Sequence, residues 1–199
     1  MIKQINFDAP PIIKREVFRY AGCKSETDDV DSLINICCDE IKGRLSYRVC
    51  FDICDLRRDG DFLAFANVNT NSNSLKKAFK GCDSVLVFGA TVGAQMDRLI
   101  LKYSMIEPSK ALIMQALGAE RIESLCNTFC QDIAQKLSNE GKSLLPRVSP
   151  GYGDIPLTMQ GKLFEFLDCP RKIGLTLNAQ NIMSPSKSVT AIAGIKNCK

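Results

Sequence analysis

Residues 84–94 read Ser84-Val85-Leu86-Val87-Phe88-Gly89-Ala90-Thr91-Val92-Gly93-Ala94. An unbroken apolar run of strand length passes into a glycine-bearing turn, and Gln95 to Tyr103 then follows with a helical pattern. A strand, a glycine turn and a helix in that order are the parts of a phosphate cradle, in which a helix N-terminus meets the anion. The reading of this stretch therefore separates a doubly wound nucleotide-binding sheet from other architectures. The glycines fall as Gly-x-x-x-Gly, not Gly-x-Gly-x-x-Gly, and no Gly-Lys-Ser/Thr follows. Nucleotide binding is disfavoured, and the fold has to be read from the order of the flanking elements.

Upstream, Leu45 to Cys54 has period two. Tyr47, Val49, Phe51 and Ile53 alternate with Arg48, Cys50 and Asp52, which predicts a half-buried strand. Arg57 to Asp61 predicts a turn, and Phe62 to Val68 a returning hairpin partner. Asn67 to Ser74 is rich in Asn and Ser and reads as an exposed loop. It ends with Ser74 capping a short helix, Leu75 to Lys80, that Gly81 stops. Nearer the N-terminus, Phe7 to Pro11 is extended and Ile12 to Tyr20 is a short helix closed by Gly22. Asp28 to Ser32 cap a further helix with Leu33, Ile34, Cys37 and Ile41 on one face, and Gly43 stops it.

Downstream, Pro108 or Ser109 opens the longest helix, Lys110 to Asn139. Its apolar stripe runs from Ala111 and Leu112 through Ala116, Ile122, Leu125, Phe129 and Ile133 to Leu137. Small residues at Ala116, Gly118 and Ala119 allow close packing. Leu157 to Leu167 is a short amphipathic helix ended by Asp168-Cys169-Pro170. Leu175 to Leu177 and then Val189 to Ile195 are strands, and Lys196 to Lys199 is a mobile tail. Helix, strands, helix, strand, helices, strands is a mixed order. It predicts an α+β fold, with one mostly antiparallel sheet and packed helices, in a single domain spanning 1–199.

Composition narrows the chemistry. The chain has 199 residues, 45% hydrophobic and 24% charged, and a net charge of +4. The basic residues are scattered among acids, which argues against a nucleic-acid surface. No apolar run is long enough to cross a bilayer and no signal-peptide pattern opens the chain, so a soluble, cytoplasmic protein is expected. There is no histidine. Ser-His-Asp and Cys-His catalysis and histidine-bearing metal sites are thereby excluded. The 10 cysteines include no Cys-x-x-Cys pair. Cys126 and Cys130 share a helix face, so a thiolate site is one reading. Reduced cysteines packed as small apolar residues is the favoured one.

The stretch with the most chemistry is Arg147-Val148-Ser149-Pro150-Gly151-Tyr152-Gly153-Asp154-Ile155-Pro156. Pro150-Gly151 sets a turn, and Asp154 and Pro156 read as cap and first-turn residues of the next helix. Arg147 is able to fork onto a carboxylate, and Tyr152 to offer its face to a cation or a ring. An anionic or zwitterionic small molecule fits this set. A plain helix-to-helix turn fits the Pro-Gly pair equally well.

The string Arg-x-x-x-Gly-Tyr, Arg147 to Tyr152, resembles the S-adenosylmethionine-binding signature of the activation (reactivation) domain of cobalamin-dependent methionine synthase. The longer form Arg-x-Ser-Pro-Gly-Tyr-Gly-Asp-x-Pro-Leu resembles the free-standing members of that family. Ala90-Thr91-Val92-Gly93 with Asp97-Arg98-Leu99-Ile100, and Met183 to Ile195, are further matches. In the long helix, Ala-Leu-x-x-x-Arg-x-Glu resembles the segment that carries a substrate-contacting glutamate, with Glu123 the match and Glu120 the alternate.

The resemblance implies an S-adenosylmethionine site in which Arg147 holds the ligand's carboxylate and Glu123 faces its ammonium. The backbone of Ser149, Pro150 and Gly151 lies against the ligand, and Tyr152 stands between ligand and corrin. Lys187 and Glu120 are weaker candidates. No residue of this chain is assigned a catalytic role or a metal. In the family, an external donor such as flavodoxin or ferredoxin reduces accidentally formed cobalt(II), and S-adenosylmethionine then remethylates the cobalamin. No Asp-x-His-x-x-Gly motif is present, so the cobalamin would come on a partner, a methionine synthase lacking its own activation domain. Another corrinoid methyltransferase is the alternative partner. Two other classes stay open: a non-catalytic interaction module and a cysteine-ligated redox protein. The family's acidic contact near the start of the domain has no clear match, Asp8 and Asp31 being the only guesses.

Overall fold

The computed structural model describes residues 1–23 and 27–198. Its centre is a five-stranded antiparallel sheet in the order β1-β2-β6-β10-β7. These strands are β1 (Lys3–Phe7), β2 (Tyr47–Asp55), β6 (Ser84–Thr91), β10 (Ser188–Asn197) and β7 (Lys142–Leu144). The apolar run from Ser84 to Thr91 is the middle strand, β6. It pairs with β2 from Arg48↔Thr91 to Asp55↔Ser84, and with β10 from Ser188↔Thr91 to Ile195↔Ser84.

Both faces of the sheet are covered. On one face lies α5 (Pro108–Asn139), 32 residues long, flanked by α1 (Lys14–Tyr20), α2 (Asp28–Ile41) and α4 (Gln95–Ile106). Phe129 of α5 is fully buried here, its ring 5.0 Å from those of Phe51 and Phe88 and 6.2 Å from that of Phe7. On the other face lie α3 (Asn73–Ala78), α6 (Met159–Leu167) and α7 (Cys169–Ile173). A small sheet, β3 (Arg57–Asp59), β4 (Phe62–Phe65) and β5 (Val68–Thr70), extends this second core. A two-stranded ribbon, β8 (Thr176–Leu177) with β9 (Met183–Ser184), leads into β10. The α+β architecture with a mostly antiparallel sheet is as the element order predicts.

Cover on both faces explains where the strict alternation of β2 fails. Val49, Cys50 and Phe51 are all buried, while Ile53, beyond the helices, is 41% exposed. The hairpin expectation also changes. Phe62 to Phe65 pairs with Arg57–Asp59 and not with β2, because Leu56 is buried and its N–H is taken by Asp83. The short-helix cap is Ser72 rather than Ser74, its Oγ accepting from Leu75 N at 3.2 Å. The C-terminal segment is not a free tail: Lys196 and Asn197 pair with β7, and Cys198 N donates to Gly141 O. Lys199 lies outside the described residues.

The turn after β6 uses its amides internally. Val92 N donates to Lys187 O and Gly93 N to Thr91 Oγ1. No helix among the described residues is long and apolar enough to cross a membrane.

Candidate functional site

The edge strand β7 positions the site. Leu144 lies opposite Ile195, and Leu145 N bonds Gly194 O in continuation of that register. The next bridge is Val148↔Ile192. Three steps along one strand meet two along the other, so one extra residue is accommodated at Pro146-Arg147. This is a β-bulge on a sheet edge, where a proline costs no ladder bond. The bulge has a consequence for side-chain direction. Leu145 and Val148 both pack into the second core, and Arg147 is turned to the opposite face, over α5.

There Arg147 meets two α5 residues one turn apart. Its Nη2 donates to Glu123 Oε2 at 2.6 Å and its Nη1 to Asn127 Oδ1 at 2.8 Å. The Arg147 side chain is 23% exposed and that of Glu123 42%. Desolvation pulls the guanidinium pKa down, but neighbouring negative charge, the Glu123 carboxylate in direct contact being the group ionised at neutral pH, outweighs it, and the net shift is upward. Arg147 is therefore a fixed cation with its charge partner in reach of solvent.

Beyond the bulge, the signature loop folds on itself. Tyr152 N donates to Ser149 O, Ile155 N to Tyr152 O, and Gly151 N to Ile155 O. Ile155 is buried in the second core, while Tyr152 is 65% exposed. Ser149 and Pro150 line a cavity of about 380 Å³ with Gln160 of α6, Asn181 and Met183 of the ribbon, and Thr190 of β10. Ile192 exchanges both ladder bonds with Val148. By the alternation of an antiparallel pair, the N–H and C=O of Thr190 point to the same edge. The ladder ends at that isolated bridge, beyond which Ser149 and Pro150 turn into the loop. Buried Gln160 holds the cavity's shape, its Nε2 donating to Asn181 O at 2.9 Å and its Oε1 lying 3.3 Å from Thr190 Oγ1.

The structure brings Arg147 and Glu123, which the sequence reading assigned to the ligand's carboxylate and ammonium, into direct contact with each other. Ser149 and Pro150 form a wall of the groove with Gln160 and Thr190, which neither Arg147 nor Glu123 lines, and Gly151 and Tyr152 form the exposed tip. Lys187 extends over α5, its Nζ donating to Gln115 Oε1 at 2.6 Å, and burial lowers its pKa. Its stem crosses α5 at Gly118, where a Cβ would strike it, so the small residue there is what permits the crossing. Glu120 is no solvated helix glutamate. It is 1% exposed, bonded to Arg121, Ser124 Oγ and Ile13 N. Asp8 lines a separate cavity of about 440 Å³ beside Arg121, and Asp31 pairs with Lys14 on the surface.

Asp154 is the residue whose role changes most. It does not cap α6, which begins at Met159, but bonds the N-terminus of α3 some 80 residues earlier. Asn127, Gln160 and Thr190 were missed by the sequence reading. Only Asn127 left a trace there, being the helical neighbour four residues after Glu123.

The cysteines are mostly core. Cys37, Cys50, Cys82, Cys126 and Cys169 are fully buried. Burial pushes the Cys37 thiol up to about 11 and that of Cys126 higher still, which keeps them protonated. Among the described residues no group of three or more His, Cys, Asp or Glu converges as a metal site.

No protein-family model and no curated protein sequence matches this chain significantly. A solved structure does. It is the crystal structure of the MetH reactivation domain bound to AdoHcy, matched with a TM-score of 0.71 at 14% identity. The match covers 98% of this chain and 78% of that one. The chain has the fold of that reactivation domain.

Proposed function

We propose that this protein binds S-adenosylmethionine at the Arg147–Tyr152 edge. We further propose that it serves as a stand-alone activation protein for a corrinoid-bearing methionine synthase that lacks such a domain. The observation that carries the reading is the Arg147–Glu123 pair, held by the bulge beside the Ser149-Pro150-Gly151-Tyr152 loop. The likeness to a reactivation domain solved with AdoHcy supports it.

The pair suits an amino-acid head group. In such a zwitterion the carboxylate and the ammonium sit on one carbon, so their protein partners must be adjacent. A guanidinium and a carboxylate 2.6 Å apart are. Binding exchanges partners: the ligand carboxylate takes the Arg147 fork, and the ammonium takes Glu123. The groove along Ser149, Pro150 and Thr190 offers the ligand's remainder backbone groups and an apolar wall. Tyr152 faces outward, where a partner would dock. The partner's cobalamin, reduced by a donor of the flavodoxin or ferredoxin type, supplies the methyl acceptor. This chain contributes binding and orientation.

The test is a calorimetric titration of S-adenosylmethionine into the purified protein, with Arg147→Ala and Tyr152→Phe beside it. One-to-one binding that Arg147→Ala strongly weakens is the expected result. Equal binding by Arg147→Ala would sink the assignment. A visible chromophore in anaerobically purified protein would favour the redox-protein class instead.

A further inference from the structure

Asp154 follows the exposed Tyr152 by two residues, and its carboxylate reaches across the molecule. Oδ1 accepts from Ser72 Oγ at 2.5 Å and from Ser74 N at 3.0 Å, and Oδ2 accepts from Asn73 N at 2.7 Å. Ser74 Oγ in turn accepts from Asp154 N at 3.4 Å. These donors form the first turn of α3, which Leu75 and Phe79 anchor, fully buried, in the second core. Gly153 sits against the same turn with φ of 57°, and a Cβ there would collide with Ser74 Oγ. On the other side the loop is held by Ile155, which is 2% exposed. Gly151 and Tyr152 hang between the bulge at one end and these two anchors at the other.

We propose that Asp154 is the positioning residue of the site: by clamping the loop to α3 it holds Gly151 and Tyr152 in their binding arrangement. What the loop binds rests on the proposed S-adenosylmethionine site, whereas what Asp154 orders rests on the hydrogen bonds alone. The physical reason for a clamp is the loop's composition. Two glycines among four residues leave the free chain many conformations, and ordering them at the moment of binding would weaken the complex. The carboxylate makes that ordering part of folding.

Two readouts separate the clamp from the ligand. The chain contains no tryptophan, so the indole introduced by Tyr152→Trp reports loop mobility by its fluorescence anisotropy in ligand-free protein. Asp154→Ala in that background is expected to lower the anisotropy, and Asp154→Asn, which keeps one acceptor oxygen, to lower it less. In the chain with native Tyr152, Asp154→Ala is expected to raise the Kd for S-adenosylmethionine about tenfold, the scale of ordering a freed side chain at the moment of binding. The melting midpoint should fall only modestly, since the same hydrogen bonds also contribute to folding. Unchanged anisotropy overturns the clamp. Lowered anisotropy with unaltered Kd overturns its role in positioning. Loss of a cooperative melting transition in both variants makes Asp154 a fold residue and overturns the proposal. Wild-type protein that binds no S-adenosylmethionine defeats the proposed function instead, and the anisotropy still decides whether Asp154 orders the loop.

Discussion

Two ion pairs lie one turn apart on α5 and have opposite fates. Glu120 and Arg121 are each 1% exposed. Arg121 donates to both carboxylate oxygens of Glu120 and to the carbonyls of Pro10 and Pro11, and Glu120 also accepts from Ser124 Oγ and Ile13 N. Every polar group is used, and the pair fastens the N-terminal segment to the long helix. Glu123 and Arg147 have the same chemistry, but both reach solvent, and among the described residues the pair's one further hydrogen bond runs from Arg147 to Asn127. The difference is one of enclosure. A saturated, dry pair has nothing left to offer a ligand, whereas a half-wet pair at a bulged edge can exchange its partners.

The comparison is broken most directly at the buried pair. Arg121→Ala leaves the Glu120 carboxylate buried without its cation, a change that costs about 3–5 kcal/mol in comparable sites. Chemical denaturation should show a loss of that size. A loss under about 1 kcal/mol would mean that Glu120 finds solvent, and the contrast between the pairs would vanish.

The exposed pair should behave in the reverse way. Arg147→Ala is expected to leave folding stability within about 1 kcal/mol, since half-exposed pairs contribute little. Binding of S-adenosylmethionine should weaken by roughly 2–5 kcal/mol if the guanidinium meets the ligand carboxylate. Denaturation and calorimetry on one preparation compare the two directly. Destabilisation as large as that of Arg121→Ala would make Arg147 a second structural clamp.

The two pairs also mark how far the sequence was legible. The long helix, the middle strand and the last strand follow from local periodicity, and each lies where the pattern places it. Arg147 was visible as a motif residue, because its signature is contiguous. That Glu120 is dry and Glu123 wet was not visible, since the helical pattern alone gives both the same status. The answer lies in Pro10, Pro11 and Ile13, more than 100 residues away. The bulge was hidden for the same reason: β7 is only three residues long, and its register exists only against β10. Asp154 was misread because a capping residue followed by proline fits a local helix start. Its real donors are at Ser72, Asn73 and Ser74.

Acid separates the loop from ordinary surface carboxylates. The hydrogen bond from Ser72, with those from Ser74 and Asn73, holds the Asp154 carboxyl well below the usual range. A folded-state pKa below the unfolded value means that the contribution is complete above about pH 4 and is lost as pH falls through the folded value. Anisotropy of the Tyr152→Trp reporter should therefore stay flat from neutral pH to about pH 4 and fall only in stronger acid. A transition above that point would mean that the carboxylate is not what orders the loop.

The smallest effect is the most discriminating for the exposed pair, because it depends on which end of the zwitterion each residue holds. Decarboxylated S-adenosylmethionine keeps the ammonium and lacks the carboxylate. Arg147→Ala should leave its affinity within about twofold, since the guanidinium has no partner on that ligand to lose. Glu123→Gln should weaken both ligands alike, by about 1 kcal/mol, as its side chain is 42% exposed and screened. Equal losses from Arg147→Ala on both ligands would mean that Arg147 acts through Glu123 and not on the carboxylate, so that the exposed pair works as a unit, as the buried one does.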